Sequence, residues 1–303
     1  MEDVLAIWGL ENQRFKHHAR RENEVFAVGD PTLFALRAHR PGLRRAREIE
    51  SELKWMESLA DVGLSVPRPV RTENDFLVVE LKGQLYSLVT WLPGRPLGTA
   101  QEPLTVTEPE IIFRNLGELF KTIHNLPTPL NLDRPDWTMP GLVGEKPLWG
   151  RFWMHPNLSD FEREMMVEFR DISRVLLEKL NLPSQLIHAD PLQENILVEG
   201  QKVSLIDFDD CAYGYPLFDL ATLFVQRLSD KNFLDLRNAA LDGYGGCNLD
   251  VLALLFAIRC ATYVGWIQDK MGSTSGKEMS DRILVRAIKQ VRSYLEGNSP
   301  ITQ

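Results

Sequence analysis

The chain has 303 residues, 44 % of them hydrophobic and 25 % charged, a globular balance that excludes a disordered or fibrous protein. Lysine and arginine total 34 against 42 aspartates and glutamates, a formal net charge of −8. That sign argues against a general binder of nucleic acid or of anionic membranes, because both ligands call for positive potential.

Three widely spaced cysteines, Cys211, Cys247 and Cys260, form no CxxC pair, which points to a reducing compartment. The start, Met1-Glu-Asp-Val, shows no secretory leader, and the apolar run Val251 to Ile258 is too short for a bilayer before Arg259 closes it. A cytoplasmic protein without a membrane span is expected.

In chain order, Glu24 to Val28 and Leu33 to Ala38 are apolar runs around Gly29-Asp30-Pro31, a hairpin signal. Leu43 to Ala60 has helical period through Leu43, Ala46, Ile49, Leu53, Met56 and Leu59. Phe76 to Leu81 and Tyr86 to Leu92 alternate as two more strands, and Pro93 to Gly98 breaks the pattern as a hinge. Helices are expected over Ile111 to Ile123 and Phe161 to Leu180, separated by a Pro-, Trp- and Gly-rich insertion at residues 127–159. A compact hairpin follows, Asn195 to Val198 and Val203 to Asp207. The remainder reads as helices interrupted at Gly243–Gly246 and Gly272–Ser280.

The chemistry concentrates in His188-Ala-Asp190-Pro-Leu-Gln-Glu-Asn195, followed twelve residues later by Asp207-Phe-Asp209-Asp210 at a strand end. H-x-D-x-x-x-x-N and then an Asp-Phe is the arrangement phosphoryl transfer needs. An Asp in a loop orients or deprotonates an attacking hydroxyl. An Asn and a second Asp on the adjoining hairpin offer oxygen ligands to Mg²⁺, which bridges nucleotide phosphates. His188 is better suited to holding the loop than to moving protons. A kinase-type lobe also carries a Lys on its third strand paired with a Glu on the next helix. Arg37 stands at that strand position, and Glu52, on the apolar face between Ile49 and Met56, must find a partner.

The block from Leu186 to Leu223, with Gly214-Tyr-Pro-Leu-Phe-Asp219-Leu-Ala221, resembles the aminoglycoside phosphotransferase and choline kinase family. Arg37-Ala-His-Arg-Pro41 and Tyr86-Ser-Leu-Val-Thr-Trp-Leu-Pro-Gly94 look closest to its branch of stress-response kinase A and type II homoserine-kinase-like proteins. The resemblance implies an α+β, protein-kinase-like bilobal fold. Residues 1–92 would be a small antiparallel nucleotide-binding lobe, 93–98 a hinge, and 99–303 a larger, mostly helical catalytic and acceptor lobe. It further implies Asp190 as the catalytic Asp, Asn195 and Asp207 as Mg²⁺ ligands, and Asp219 as a structural acid. Arg37 and Glu52 would position ATP phosphates, while the Thr90 carbonyl and Leu92 N–H would meet adenine. The chain departs from the kinase pattern in having Arg at position 37. A glycine-poor His17-to-Val25 segment stands where a glycine-rich loop is expected.

Trp149, Trp153, Asp209 and Tyr213 are candidates for the acceptor site, since aromatic walls with an acid suit a cationic or sugar-like ligand. The leading expectation is an ATP- and Mg²⁺-dependent phosphotransferase acting on the hydroxyl of a small molecule. The alternatives are a protein Ser/Thr kinase of the stress-response type or a non-catalytic nucleotide-binding module on the same fold. A D-x-D phosphatase built on Asp207 and Asp209 is disfavoured, because it leaves His188, Asp190 and Asn195 unused.

Overall fold

The computed structural model describes the chain except for Arg21, Glu22, Ala100, Gln101, Pro103, Leu130 and Ser273. A short helix, α1 (Glu2–Leu5), precedes three antiparallel strands, β1 (Phe15–Arg20), β2 (Glu24–Val28) and β3 (Phe34–Ala38). Helix α2 (Ala46–Asp61) follows, then β4 (Pro69–Val70), β5 (Val78–Leu81), β6 (Gln84–Thr90) and the two-residue β7 (Arg95–Pro96). Next come α3 (Pro109–Asn125), β8 (Asp136–Trp137), α4 (Met139–Val143) and α5 (Asp160–Leu180). Strand β9 (Gln185–Ile187) leads to the hairpin of β10 (Ile196–Glu199) and β11 (Lys202–Leu205), and then to β12 (Ala212–Gly214). Four helices complete the chain: α6 (Leu217–Val225), α7 (Phe233–Tyr244), α8 (Leu249–Ile267) and α9 (Thr274–Leu295).

The backbone divides into two units. The first comprises Met1–Pro96, Pro129–Arg134 and Asn195–Asp209; the second comprises Leu97–Thr128, Pro135–Glu194 and Asp210–Gln303. The expected lobes differ from this division, because they assign residues 129–134 and 195–209 to the C-terminal part. The physical reason is backbone pairing. Arg95 and Pro96, inside the segment read as a hinge, form β7 and pair with Val198 and Leu197 of β10. The Leu205 N–H donates to the Ser65 carbonyl at 3.1 Å, which ties the hairpin to the same unit.

In the first unit the sheet runs β1-β2-β3-β6-β4, with β5 also paired to β6. Helix α1, too short to leave a period in the sequence, packs Val4 and Leu5, together with Trp8, against Val28, Leu36 and Leu88. The expected α2 forms, and it buries Ile49, Leu53, Met56 and Leu59 with Glu52 among them. Its first turn is closed by the Arg45 N–H donating to Glu48 Oε2 at 2.8 Å. Strand β1 covers His17 and His18, which the sequence suggests as loop residues. The centre of that segment, Arg21 and Glu22, lies outside the described residues.

The second unit is mostly helical around a small sheet of order β8-β12-β9. Helices α3 and α7 approach closely: a Cβ on Gly117 would meet the Ala240 carbonyl, and one on Gly243 the Arg114 carbonyl. Ser159 caps α5, as the N–H of Glu162 donates to its Oγ at 3.4 Å. Two expectations change here. The break expected at Gly272–Ser280 is shorter than that stretch, since α9 opens at Thr274 within it. Arg259 does not close an apolar run; α8 continues through it to Ile267. Among the described residues, α8 alone is long and apolar enough to cross a membrane, and 83 % of its apolar window is buried inside the protein.

Candidate active site

In the first unit, Arg37 on β3 and Glu52 on α2 meet as the apolar-face argument requires. Arg37 Nη1 donates to Glu52 Oε1 at 2.6 Å, with both side chains almost wholly buried. Burial alone would lower the pKa of Arg37, yet the charges of Glu52, Asp209 and Asp207 outweigh it and hold the guanidinium firmly protonated. Asp209 Oδ1 lies 3.8 Å from Arg37 Nη2, too far for a hydrogen bond. Arg37 Nη2, Glu52 Oε2 and Asp209 Oδ1 are therefore three buried polar atoms without a hydrogen bond.

The β10–β11 hairpin brings Asn195 and Asp207 to one end, where the Ile206 N–H donates to the Asn195 carbonyl at 2.9 Å. Asp207 has φ of 63°, a left-handed conformation that non-glycine residues adopt at a cost and that clusters at functional sites. Phe208 anchors the turn edge-on against Trp55, with centroids 5.4 Å apart. Asp209, a sequence candidate for acceptor contact, is instead buried against Arg37, and its carbonyl accepts from Arg44 at 3.1 Å and from Arg134. The basic run from Arg37 to Arg47 is largely engaged by the protein's own acids. Arg45 and Arg47 both reach Asp133, at 3.2 and 2.9 Å.

His39 on the loop after β3 was not foreseen from sequence. It is 3 % exposed and shares a 2.8 Å hydrogen bond with Ser87 Oγ. Burial, reinforced by the charge of Arg37, pushes its pKa from 6.5 down to about 3. The folded pKa lies below the unfolded one, so between these values the unfolded chain binds a proton that the folded chain does not. Stability therefore falls as pH drops from 6.5 towards 3, by at most about 1.4 kcal/mol per pH unit. His39→Gln is expected to flatten this dependence, as measured by urea unfolding between about pH 7 and pH 5.

Also in the first unit, Thr90 ends β6. Its N–H donates to the Arg68 carbonyl and its Oγ1 accepts from the Arg68 N–H, both at 2.8 Å, with half-buried Leu92 just beyond. These bonds use the Thr90 amide and hydroxyl rather than its carbonyl.

In the second unit, Asp190 lies in the loop after β9. Asp219, at the start of α6, accepts from the N–H of His188 at 3.0 Å and of Ala189 at 2.7 Å, and faces His124 Nε2 at 3.1 Å. This fully buried carboxylate holds the loop, including the left-handed Ala189 at φ 68°. His188 is also buried and accepts from the Asp190 N–H through Nδ1 at 3.3 Å, a loop-holding arrangement. The Tyr244 hydroxyl lies 3.0 Å from His124 Nδ1, and burial pushes its pKa up to about 12, with Asp219 adding to the rise.

The Asp190 carboxylate itself meets a residue that sequence reasoning missed. Arg259 Nη2, on α8, donates to Asp190 Oδ1 at 2.8 Å. The guanidinium Cζ lies 4.0 Å from the Tyr263 ring centroid and 4.8 Å from that of Trp149. Trp149 thus stands one residue from Asp190, but its ring already accompanies the chain's own cation and packs edge-on against Trp137 at 4.5 Å. Trp153 is 6 % exposed and lies under Arg170 at 4.7 Å, pinning the insertion to the core. Tyr213 is half-buried on β12, and its N–H donates to the Pro135 carbonyl at 2.9 Å. Among the acceptor candidates, Trp149 is linked to Asp190 through Arg259. The signal that could have revealed Arg259 is a single cation within an otherwise apolar helix, since a buried charge requires a partner.

A family profile described as the phosphotransferase enzyme family matches residues 16–255. A homoserine kinase of Chelativorans sp. is 30 % identical over 184 residues, which cover 56 % of this chain and 50 % of that protein. The chain thus spans about half the length of that relative. Among solved structures, a microcompartment-associated aminopropanol kinase superposes with a TM-score of 0.82 at 21 % identity, covering 98 % of this chain and 97 % of that one. An amicoumacin kinase, solved with AMP-PNP, Ca²⁺ and its antibiotic, superposes with a TM-score of 0.76 at 17 % identity over 95 % of this chain and 92 % of that one. With the α+β fold of these kinases and a profile matching well over half its length, the chain belongs to the phosphotransferase enzyme family.

Proposed function

We propose that the protein is an ATP- and Mg²⁺-dependent kinase that transfers the γ-phosphate to an alcohol hydroxyl of a small, amino-acid-like or amino-alcohol acceptor. The observation that carries this reading is the buried charge cluster of the first unit. Arg37, Glu52 and Asp209 bury polar atoms without hydrogen bonds, beside the field of Asp207. Orphaned buried polar atoms call for an explanation, and a phosphate–metal ligand supplies one. Asn195 and Asp207 would offer Mg²⁺ an amide oxygen and a carboxylate, which suits an ion that takes one or two protein carboxylates and completes its shell from phosphates and water. The bound ion would neutralise charge developing on the transferring phosphoryl group.

The remaining roles belong to the chain. Asp190 would orient the acceptor hydroxyl and receive its proton. Arg37, steadied by Glu52, would grip phosphate, and the Thr90 carbonyl with the Leu92 N–H would receive adenine. Asp209 serves the Arg37 cluster rather than the acceptor, whereas Trp149 and Tyr213 remain on the acceptor side. The relatives named as homoserine and aminopropanol kinases support a small hydroxylated acceptor carrying an amine. The largely buried state of α8 supports a cytoplasmic location.

The test is ADP release with and without Mg²⁺ against hydroxy amino acids, amino alcohols, aminoglycosides, sugars and a Ser/Thr peptide. Metal-dependent turnover stimulated by one small hydroxylated amine is expected. Turnover with the peptide alone would replace this reading with a protein kinase, and nucleotide binding without any turnover with a non-catalytic module. Asp207→Ala is expected to abolish the Mg²⁺-dependent part of ATP binding, read by calorimetry with and without the metal. Unchanged metal dependence would remove Asp207 from the ligand set.

A further inference from the structure

We propose that Arg259 is a positioning residue for phosphoryl transfer, one that fixes the carboxylate of Asp190 in direction and place. The inference rests on the reading of Asp190 as the residue that receives the acceptor hydroxyl. Arg259 is fully buried, and desolvating a guanidinium is expensive unless its partners are well placed. Its ion-pair partner is the aspartate of the H-x-D-x-x-x-x-N loop, whose side chain is 19 % exposed. An arginine needed only to bind α8 to its neighbours has no requirement to touch that particular carboxylate.

The geometry holds the guanidinium in one plane. Arg259 Nε donates to Thr222 Oγ1 at 2.9 Å, while Nη2 donates to Asp190 Oδ1 at 2.8 Å. The Thr222 hydroxyl in turn donates to the Phe218 carbonyl at 2.9 Å, which leaves an oxygen lone pair for Arg259. Tyr263, Trp149 and Phe218 place ring centroids 4.0, 4.8 and 5.8 Å from the guanidinium carbon. Planar, forked and stacked, the group has little rotational freedom, which an ammonium in its place would regain. Asp219 and Thr222 lie three residues apart on α6, on one face of the helix. That face therefore fixes the loop twice, its backbone through Asp219 and its carboxylate through Thr222 and Arg259.

The test is a double-mutant cycle on the full-length protein with the acceptor found in the panel. Arg259→Met keeps most of the volume without the charge. It is expected to lower kcat by about 100-fold, the cost of displacing a reacting group by about 1 Å, with acceptor KM and ADP affinity little changed. Arg259→Lys should recover part of the loss. In an Asp190→Asn background, Arg259→Met should cost almost nothing further, since the two act as one unit. Undiminished kcat in Arg259→Met overturns the proposal. So does a loss of equal size in both backgrounds, which would mark a structural role. Should Arg259→Met fail to fold, Arg259→Gln replaces it in the same cycle. The underlying assignment is read separately: a fully active Asp190→Asn single variant would refute that assignment without reference to Arg259.

Discussion

Asp190→Asn is expected to lower kcat by about three orders of magnitude, within the range general-base catalysis contributes, while ADP and ATP still bind. The substitution keeps the shape of the side chain and a hydrogen-bonding oxygen for Arg259, and removes only the capacity to accept a proton. The loop itself should survive. Its backbone is held by Asp219 through the N–H groups of His188 and Ala189, and neither bond involves the Asp190 side chain. Steady-state ADP release in the presence of acceptor, set beside calorimetric ADP affinity, distinguishes the two effects. Loss of binding together with turnover would show a collapsed loop, and undiminished turnover would remove Asp190 from the chemistry. Asp219→Asn makes the contrasting case, because it disturbs both backbone bonds and the contact with His124 at once. Its losses should appear in stability and activity together.

The parts of this site legible in sequence are those set by local spacing. Glu52 falls between Ile49 and Met56 on one helical face, so its burial and its need for a cation follow from period alone. Asp190, Asn195 and Asp207 form a motif whose spacing carries the chemistry. What stayed hidden depends on tertiary partners. Asp190 and Arg259 are 69 residues apart, and periodicity can place Arg259 on an apolar helix without saying what it meets there. Asp209 and Asp207 stand two residues apart on the same turn, yet one is exposed and the other buried against Arg37. The left-handed backbone of Asp207 helps to separate their directions, and no composition rule predicts it. The same limit applies to the fold. The strands β2, β3 and β6 and the helices α2, α3 and α5 carry clear periods. By contrast, the pairing of β7 with β10 rests on two residues that look like a hinge. The opening of α9 is too polar to announce itself as helix.

The pair Arg37–Glu52 carries the largest expected effect on stability, and its two halves should differ. Removing one member of a buried ion pair leaves an uncompensated charge and costs about 3–5 kcal/mol, whereas replacing both by apolar residues is often neutral. Glu52→Leu leaves the Arg37 guanidinium with the nearby charges of Asp209 and Asp207, so its cost should fall at the low end of that range. Arg37→Met is the harsher change. Glu52 is fully buried, its Oε1 bonds Arg37, and its Oε2 has no hydrogen bond to replace the lost one. Thermal and urea unfolding should therefore rank Arg37→Met below Glu52→Leu, and place the Arg37→Met/Glu52→Leu double variant above both. Nucleotide affinity should follow a different order. If Arg37 grips phosphate, every variant lacking it binds ATP weakly, however stable it is, and the double variant would be folded but unable to turn over. A double variant that is both stable and active would show that the pair exists for the core of the first unit alone. Phosphate binding would then have to be reassigned to other groups around Asp207.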